Sequence, residues 1–274
     1  MATIQGNLRK MITRHETPVH YEMVLGEQHL AMNDYIGKPV QLRYLNQINC
    51  IHCGRKTNKS FQQGYCFPCM RSLAECDGCI VRPETCHFDA GTCREPEWAQ
   101  SHCFQDHYVY LANSSGLKVG ITRGSQIPTR WMDQGATQAL PIFKVKNRLL
   151  SGLVEVAIKQ HVSDRTDWRK MLKGVAAEID LQQSRDELIN KCDAELAELR
   201  GKYGEDAIVR LDDEALVEIE YPVLSYPDKV KSFNFDKDQV VEGSLVGIKG
   251  QYLIFDSGVI NMRKYAGYLV EITI

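Results

Sequence analysis

The sequence predicts an α+β protein, and three features carry that prediction. Apolar and polar residues alternate in residues 1–49 and again from about 215 to 274, as strands require. Helical apolar periodicity is confined to the middle of the chain, and a cysteine-rich segment with little periodicity precedes it. With 274 residues, of which 43% are hydrophobic, the chain can bury a substantial core in one elaborate domain or in two.

The two β-rich ends are expected to form one discontinuous domain, residues 1–49 together with 215–274. Near the N-terminus the stretches YEMVLGEQHLAM and PVQLRYL alternate, with IGKP as a turn between them. Near the C-terminus EGSLVGIKGQYLIFDSGVI and GYLVEITI show the same alternation. Neither end alone has room for a whole core, so we expect their strands to pair with each other.

Residues 50–104 are predicted to be a zinc-ribbon-like segment. It begins with two C-x-x-C pairs, Cys50 with Cys53 and Cys66 with Cys69. Each C-x-x-C turn directs two thiolates to one point, so two such turns complete a tetrahedral all-thiolate shell. Neither a redox pair nor small core cysteines would explain two pairs at this spacing. We therefore predict a structural zinc ion bound by these four thiolates.

A second structural zinc site is predicted from the thiols that follow. The candidate ligands are Cys76, Cys79, Cys86, Cys93 and Cys103, with His87, His102 and His107 nearby. Five thiols and three imidazoles compete for four positions, so the spacing leaves the ligand shell open. An iron–sulfur cluster is an alternative, because it accepts the same thiolates. In a second alternative, the histidines support the ligands from outside the shell or lie on the surface.

Residues 105–205 are predicted to begin with two strands and to continue as helices. The stretch 149–160 is apolar on nearly all sides, as a buried helix would be. From 180 to 200 an apolar stripe indicates an amphipathic helix that ends at Gly201. The stripe consists of Leu181, Leu188, Cys192, Leu196 and Leu199, so Cys192 is expected to be a core residue.

Basic residues are concentrated in two segments, although the net charge is −2. Residues 35–74 include six basic residues and no acidic one, and residues 107–154 include six against Asp133 alone. Local positive potential beside a metal-binding segment favours a nucleic acid as partner, without choosing between DNA and RNA. The expected contacts are Arg55, Lys56, Lys59, Lys118 and Arg123. The alternative is a solvated surface that the acidic stretch 155–220 balances.

No membrane association is expected from the sequence. It has neither a signal-like apolar leader nor an apolar run of the roughly 18 residues that span a bilayer. Nine of the ten cysteines crowd between Cys50 and Cys103, which favours metal binding in a reducing compartment over secreted disulfides. We expect a cytoplasmic protein, and the sequence does not set its oligomeric state.

Four elements that follow the cysteine-rich segment carry a family resemblance. The triplet Tyr-Val-Tyr110, the triplet Lys118-Val-Gly120, Arg130, and Glu155 in LLSGLVEVAIKQH occur in this order. This order resembles the GIY-YIG nuclease superfamily, in particular its phage-type branch, over about residues 107–175. The whole chain, with CDGC, GTCR, KVGITR and RWMDQGA in order, also resembles an uncharacterised bacterial family defined only as a domain of unknown function.

The resemblance implies a GIY-YIG-like small sheet with helices and metal-dependent cleavage of phosphodiester bonds. It assigns Tyr110 to orienting or deprotonating the attacking water, Arg130 to the charge on the phosphate, and Glu155 to one Mg²⁺ or Mn²⁺ ion. Lys118 stands where the second triplet has a tyrosine, so it either contacts phosphate or marks a lost hydrolytic geometry. The alternatives are therefore a non-catalytic DNA- or RNA-binding module that keeps the fold, or a zinc-stabilised protein-interaction scaffold.

Each catalytic candidate also has a structural alternative. Tyr110 fits a strand aromatic that packs on its sheet, and the spacing of Arg130 and Asp133 fits a surface ion pair on a helix. Glu155 has apolar neighbours, so its charge requires a partner, either a metal ion or a cation such as Arg130. Only the functional interpretation requires Tyr110, Arg130 and Glu155 to meet in one pocket.

Overall fold

The structure, a computed structural model, describes residues 2–274. Within these residues the strands form three antiparallel sheets with helices beside them, which confirms the α+β class. The strands in chain order are β1 (Thr3–Asn7), β2 (Ile12–Arg14), β3 (His20–Leu25), β4 (Gln28–Ala31), β5 (Pro39–Asn49), β6 (Lys56–Thr57), β7 (His107–Asn113), β8 (Leu117–Arg123), β9 (Gln138–Val145), β10 (Ile208–Arg210), β11 (Val217–Glu218), β12 (Val240–Lys249), β13 (Tyr252–Phe255), β14 (Gly258–Asn261) and β15 (Tyr268–Thr273). The helices are α1 (Phe67–Ser72), α2 (Gly78–Val81), α3 (Pro96–His102), α4 (Thr129–Asp133), α5 (Arg148–Ile158), α6 (Trp168–Met171), α7 (Leu181–Lys191) and α8 (Asp193–Tyr203). Within residues 2–274, none of these helices has both the length and the apolar character needed to cross a membrane.

The largest sheet joins the two ends of the chain. Its strand order is β1-β15-β5-β12-β13-β14, with β6 on β5. Thr3 lies opposite Thr273, and Arg43 lies opposite both Val240 and Glu271. Strands from both ends therefore hydrogen-bond to one another, as the alternating patterns predict, while the domain boundaries themselves stay a prediction.

The alternation within each strand buries one face of this sheet. In β15 the side chains of Tyr268, Val270 and Ile272 are buried, whereas those between them are partly exposed. They belong to the same core as Met23 and other residues of the small sheet β2-β3-β4. Full burial of such side chains contributes about 1.5–3 kcal/mol each, so this layer supplies a large part of the stability.

The remaining sheet carries two of the catalytic candidates, Tyr110 on β7 and Lys118 on β8. Its order is β10-β9-β7-β8, with β11 also on β9. Strand β9 is not predicted from the sequence, because helices are expected there directly after the two strands that correspond to β7 and β8. Its residues QALPIFKV are almost all buried and include Pro141, so they show neither alternation nor a clear strand signal. Because β9 pairs with β7 along its length, it holds β7 in the middle of this sheet.

The predicted helix around residues 149–160 is present as α5, whereas the next predicted helix is wrong in two respects. Helix α5 begins after Asn147, whose side chain caps its first turn. The predicted helix 180–200 is divided into α7 and α8 at Cys192, and α8 continues through Gly201 to end before Gly204. Gly204 has a φ of +100°, which glycine adopts without a side-chain penalty, so Gly204 ends the helix.

Helix α5 packs directly on the cysteine-rich segment. A Cβ atom at Gly152 would lie 2.6 Å from the amide nitrogen of Glu84, so the two backbones meet only because residue 152 has no side chain. The amide of Arg148 donates to the carbonyl of Cys103 at 2.8 Å, and its guanidinium donates to the carbonyl of Ile80. The cysteine-rich segment is thus attached to the first turns of α5.

Candidate metal sites and a basic cleft

The two C-x-x-C pairs form a compact cluster, called here the first metal cluster. The Sγ atoms of Cys50, Cys53, Cys66 and Cys69 all lie within 4.8 Å of one another, and those of Cys53 and Cys66 are 3.8 Å apart. Zn–S bonds of about 2.3 Å in a tetrahedron place the sulfur atoms about 3.8 Å apart. The cluster therefore has the donors and the dimensions to hold a metal ion such as zinc.

Local sequence builds this cluster from two turns. In the first turn the Gly54 amide donates to the Cys50 carbonyl at 2.9 Å, and Gly54 has a φ of +73°, which a side chain would strain. In the second, Cys66 directly precedes α1, whose first turn has a proline. A backbone hydrogen bond from Arg55 lowers the pKa of the Cys53 thiol to about 6, which favours the thiolate form that binds a metal.

Removal of metal from the first metal cluster is expected to unfold the loop around it. Apart from the cysteines, only Tyr65 and Leu73 pack in this part of the described core, so ligation should supply the folding energy. Cys66→Ser should bind one metal ion fewer per chain by elemental analysis, with faster amide exchange in residues 50–73. Cys192→Ser is the control, because Cys192 is buried in the separate core around α7 and α8. Unchanged metal content in Cys66→Ser would contradict the assignment.

The later cysteines surround a second location. The ligand atoms of Asp77, Cys79 and His87 all lie within 4.8 Å of one another, a group that could also hold a metal ion. All three residues line a small cavity, together with Cys86, Cys93 and Cys103. Burial raises the pKa of Cys79 to about 11, and the charge of Asp77 and of the neighbouring thiols adds to the rise.

Three other possible ligands in the sequence lie apart from both locations. Cys76 is buried and belongs to neither group of ligand atoms found within residues 2–274. His102 stacks on Trp98 with ring centroids 4.1 Å apart. His107 is buried, its Nδ1–H donates to the Gln105 carbonyl at 2.8 Å, and burial lowers its pKa to about 4. His102 and one ring nitrogen of His107 thus have protein contacts, whereas Nε2 of His107 is buried without a hydrogen-bond partner.

A cleft of about 660 Å³ opens between the cysteine-rich segment and the sheet of β7 and β8. One wall is the loop of the first metal cluster, with Gln62, Gln63 and Tyr65, and the others come from β8, α4, α5 and the loop after α5. The charged lining residues are Lys10, Lys118, Arg123, Arg130, Arg148 and Arg263 against Glu75, Asp133, Glu155 and Asp164. Because basic side chains outnumber acidic ones, the cleft favours an anion.

Three of the four catalytic candidates line this cleft, and the fourth lies directly beneath it. Lys118 on β8, Arg130 on α4 and Glu155 on α5 are lining residues. Tyr110, on β7, is fully buried, and its hydroxyl donates to Gln134 Oε1 at 3.0 Å. Lys118 Nζ donates to the same oxygen at 3.3 Å. Gln134 therefore connects the buried tyrosine to the cleft.

Gly120 provides the space for the Tyr110 ring. The two residues are partners in the pairing of β7 with β8, and a Cβ atom at residue 120 would lie 2.6 Å from the Tyr110 hydroxyl. The ring also packs edge-on against Trp131, with centroids 5.8 Å apart, so it has no free side to move into. Tyr110 is thus both a core aromatic and a neighbour of the cleft.

Burial shifts the titration of two charged candidates toward neutral pH. Burial, together with the positive charge of Arg130, lowers the pKa of Lys118 to about 8. Burial, together with the negative charge of Asp164, raises the pKa of Glu155 to about 7. Burial also raises the pKa of Tyr110. Lys118 and Glu155 can therefore both change protonation near neutral pH, as acid–base groups in active sites do.

The ion pairs that the structural alternatives call for do not form. The Asp133 carboxylate accepts Lys10 Nζ at 2.5 Å, so its partner is Lys10 rather than Arg130. Within residues 2–274 Glu155 has no basic nitrogen within 4.0 Å, so Arg130 is not a direct partner for its charge either. Glu155 therefore presents a partly buried carboxylate to the cleft without a direct ion pair, and the charges of Lys159, Lys118 and Arg130 act on it from a greater distance.

The expected nucleic-acid contacts divide into two groups. Lys118 and Arg123 line the cleft. Arg55, Lys56 and Lys59 are exposed on the loop of the first metal cluster and do not line it. The two groups can therefore be tested separately.

The chain also matches a protein family over most of its length. Residues 37–270 match the family described as Protein of unknown function (DUF2797). The chain belongs to the DUF2797 family. The matched range includes the cysteine-rich segment and most of the cleft, and it leaves out β1 to β4. The expected resemblance to an uncharacterised family is thereby confirmed, whereas no match supports the GIY-YIG superfamily. No curated protein and no solved structure matches the chain.

The cleft of this DUF2797 protein includes residues that the sequence alone does not single out. They are Gln134, Arg148, Asp164 and Arg263. Asp164 lies in the loop after α5, where its only signal is that it follows Glu155 by nine residues. Gln134 belongs to the RWMDQGA stretch but has no assigned role there, and Arg148 and Arg263 belong to no motif. Their approach to the cleft depends on how the cysteine-rich segment and the sheets pack together.

Proposed function

We propose that this DUF2797 protein binds nucleic acid in its basic cleft and cleaves a phosphodiester bond there with the help of a divalent cation. The observation that carries the proposal is the meeting of Lys118, Arg130 and Glu155 at one cleft, above the hydroxyl of Tyr110. These residues come from two strands and two helices. Separate structural roles would not require them to meet.

The charges of the cleft suit a phosphate chain. Six basic residues line it against four acidic ones, and one of the acids, Asp133, is paired with Lys10. Within residues 2–274 neither Arg123 nor Arg130 has an acidic partner within 4.0 Å. Guanidinium groups bind phosphate through two parallel N–H donors, so both arginines are available for that contact.

Glu155 and Asp164 fit a divalent cation. Both carboxylates line the cleft, and the charge of Asp164 contributes to the raised pKa of Glu155, so the two carboxylates repel each other. Mg²⁺ and Mn²⁺ prefer oxygen ligands and are often held by one or two carboxylates, with other positions left for water and substrate phosphate. When bound, such an ion stabilises the negative charge that grows on the phosphate oxygens.

Residues of this chain accept the proton of the attacking water and compensate the charge on the phosphate. Neutral Lys118 accepts a proton from a water molecule while the water oxygen attacks phosphorus. The phosphorus–oxygen ester bond opposite breaks, and its oxygen leaves and takes a proton from solvent. Arg130 compensates the charge on the phosphate. Tyr110 stays protonated because burial raises its pKa, so it is a positioning residue that holds Gln134.

The GIY-YIG resemblance supports the same roles for Arg130 and Glu155, whereas it would give Tyr110 the attacking water. Tyr110, Arg130 and Glu155 follow one another on a strand and two helices in the order that the resemblance requires. Lys118 replaces the tyrosine of the second triplet, and we assign it the acceptance of the proton. Its pKa of about 8 gives it a substantial neutral fraction at mildly basic pH.

A non-catalytic DNA- or RNA-binding module is the second candidate, and one observation favours it. The Tyr110 side chain has no exposed surface, and its hydroxyl donates to Gln134. The phenol therefore does not touch a molecule in the cleft directly. If hydrolysis requires that contact, the cleft binds nucleic acid without cleaving it.

Cleavage assays on the full chain test the proposal. Labelled single-stranded, double-stranded and branched DNA and RNA are incubated with the protein and either Mg²⁺, Mn²⁺ or EDTA. We expect cleavage of at least one substrate with a divalent ion and none with EDTA. Binding of nucleic acid without any cleavage would support the second candidate. Absence of binding at low salt would contradict both.

Binding is expected to depend on the cleft arginines and on salt. The double variant Arg123→Gln/Arg130→Gln should weaken binding at least roughly tenfold and reduce the slope of log K against log salt by about 1.8, since each phosphate contact contributes about 0.9. Arg55→Gln/Lys56→Gln makes the same charge change on the exposed loop and should have a smaller effect. Fluorescence anisotropy at several salt concentrations measures both. A larger loss of affinity in Arg55→Gln/Lys56→Gln would indicate that nucleic acid binds the loop of the first metal cluster and not the cleft.

A further inference from the structure

A small cavity in the cysteine-rich segment is surrounded by thiols. Cys79, Cys86, Cys93 and Cys103 line about 20 Å³ of space, which is room for about one water-sized body. Asp77, His87, and aromatic and aliphatic side chains such as Phe104 complete its wall. Four cysteines around one small cavity supply the donors of an all-thiolate metal site. No three of their sulfur atoms lie within 4.8 Å of one another, so binding requires their side chains to turn toward the ion.

The segment around this cavity has little else to hold it together. Between β6 and β7 the described chain forms only short helices and turns, and α2 and α3 have four and seven residues. The thiols come from α2, from the loop that follows it and from the end of α3. A segment with so few apolar contacts of its own depends on a cross-link or a metal for its fold.

Asp77 and His87 lie close to Cys79, but their polar atoms already have protein partners. The Asp77 carboxylate lies 2.9 Å from Arg94 Nε and 3.4 Å from His87 Nε2. His87 Nδ1 lies 2.8 Å from Thr92 Oγ1. A carboxylate that a guanidinium neutralises is a poor ligand, so this group fits a supporting role around the metal ligands.

Cys76 is the remaining thiol of the segment, and it is turned away from the cavity. It is buried but does not line the cavity, although Cys79 of the same C-x-x-C pair does. Its backbone carbonyl accepts a hydrogen bond from Gln62 at 3.1 Å, which places it on the side of the first metal cluster. The C-x-x-C pattern therefore does not act as a two-ligand turn here.

We infer that Cys79, Cys86, Cys93 and Cys103 bind one Zn²⁺ ion as a tetrahedral four-thiolate site, with Cys76, Asp77 and His87 outside the ligand shell. An iron–sulfur cluster accepts the same four thiolates, and the iron and sulfide content of the purified protein distinguishes it from zinc. Binding converts the four thiols to thiolates and releases their protons to solvent.

This zinc site also supports helix α5, an effect that matters for catalysis only if the proposed function holds. Arg148 lies in the first turn of α5. It donates hydrogen bonds to the carbonyl of the proposed ligand Cys103 and to the carbonyl of Ile80, which directly follows the proposed ligand Cys79. The backbone around Glu84, which lies between two ligands, touches Gly152 in the middle of α5. Loss of the ion should therefore loosen the helix that carries Glu155.

Elemental analysis of purified variants tests the ligand shell. The wild type should contain two zinc ions per chain, and Cys86→Ser and Cys93→Ser should each contain one. Cys76→Ser should keep two, which is the decisive control because its thiol belongs to the same motif. Two zinc ions in Cys86→Ser, one in Cys76→Ser, or iron with sulfide in the wild type would overturn the assignment.

Alkylation of the wild-type protein provides a measurement that does not depend on variants folding. The native protein is treated with iodoacetamide before and after zinc is removed with a chelator, and each cysteine is mapped by mass spectrometry. Cys79, Cys86, Cys93 and Cys103 should gain reactivity together, and amide exchange in α5 should rise at the same time. Reactivity of one of the four in the zinc-loaded protein would contradict the shell. Neither measurement uses nuclease activity, so failure of the proposed function would leave both interpretable.

Discussion

Replacement of Glu155 by alanine is expected to lower divalent-ion-dependent cleavage by about three orders of magnitude or more, because charge stabilisation worth several kcal/mol is lost with the ion. The same variant should keep its affinity for nucleic acid in EDTA, since Arg123 and Arg130 are unchanged. Single-turnover cleavage with Mn²⁺ and anisotropy without metal measure the two effects. Full cleavage activity in Glu155→Ala would rule out its role as a metal ligand.

The variant Glu155→Gln shows whether lost activity comes from loss of a metal ligand or from loss of the folded structure. Burial raises the pKa of Glu155 from its ordinary 4.5 to about 7, so the folded state holds this proton more tightly than the unfolded state does. Ionisation of Glu155 therefore reduces stability as pH rises from about 4.5 to 7. We expect Glu155→Gln without metal to be more stable than wild type by roughly 2 kcal/mol at pH 8 and unchanged near pH 4.

Denaturant unfolding at the two pH values measures this difference. Glu178→Gln, which removes an exposed carboxylate, is the matched control and should show little change at either pH. A Glu155→Gln protein that is inactive and yet more stable at pH 8 would assign the loss to chemistry. A less stable one would contradict the raised pKa.

Lys118→Met is expected to reduce cleavage by roughly 10²–10⁴-fold, the usual contribution of a general base. In the wild type the rate should rise with pH up to about 8, because the neutral form of Lys118 accepts the proton. Lys118→Arg should not restore activity, since arginine stays protonated in proteins. Rate against pH for the three proteins is the measurement.

Lys146→Met is the matched control for Lys118, because Lys146 is exposed and pairs with Asp206 outside the cleft. It should keep the wild-type rate and pH profile. Full activity in Lys118→Arg, with no change in pH dependence, would make residue 118 a phosphate contact and remove it as the base. Lys118→Tyr, which restores the tyrosine of the GIY-YIG pattern, should lower the rate near pH 8 if lysine is the base.

Features that depend on local sequence could be predicted, and the first metal cluster shows why. Each C-x-x-C turn positions two thiols through its own backbone, so Cys50, Cys53, Cys66 and Cys69 are recognisable without knowledge of the fold. The same holds for the alternating strands such as β15, in which a period of two indicates the buried face.

Features that depend on packing could not be predicted. Strand β9 is buried along almost its whole length, so it lacks the alternation that reveals a half-exposed strand. Asp164 and Gln134 reach the cleft only because separate segments pack around it, and their sequence neighbourhood does not show that they do so. The shell of the second metal site shows the same limit, since Cys76 belongs to a ligand-like motif and still lies outside the cavity.

The pairing of both chain ends in the largest sheet has a consequence for how the protein is made. Because β5 lies between β15 and β12, most of both its edges stays uncovered until those later strands have been made, and only its last two residues can pair with β6 before then. Contacts between residues so far apart in sequence raise the contact order, which slows folding. During synthesis β5 therefore remains a largely uncovered strand, a state in which aggregation competes with folding. Cells that make this protein at high levels should thus benefit from chaperones that hold nascent chains.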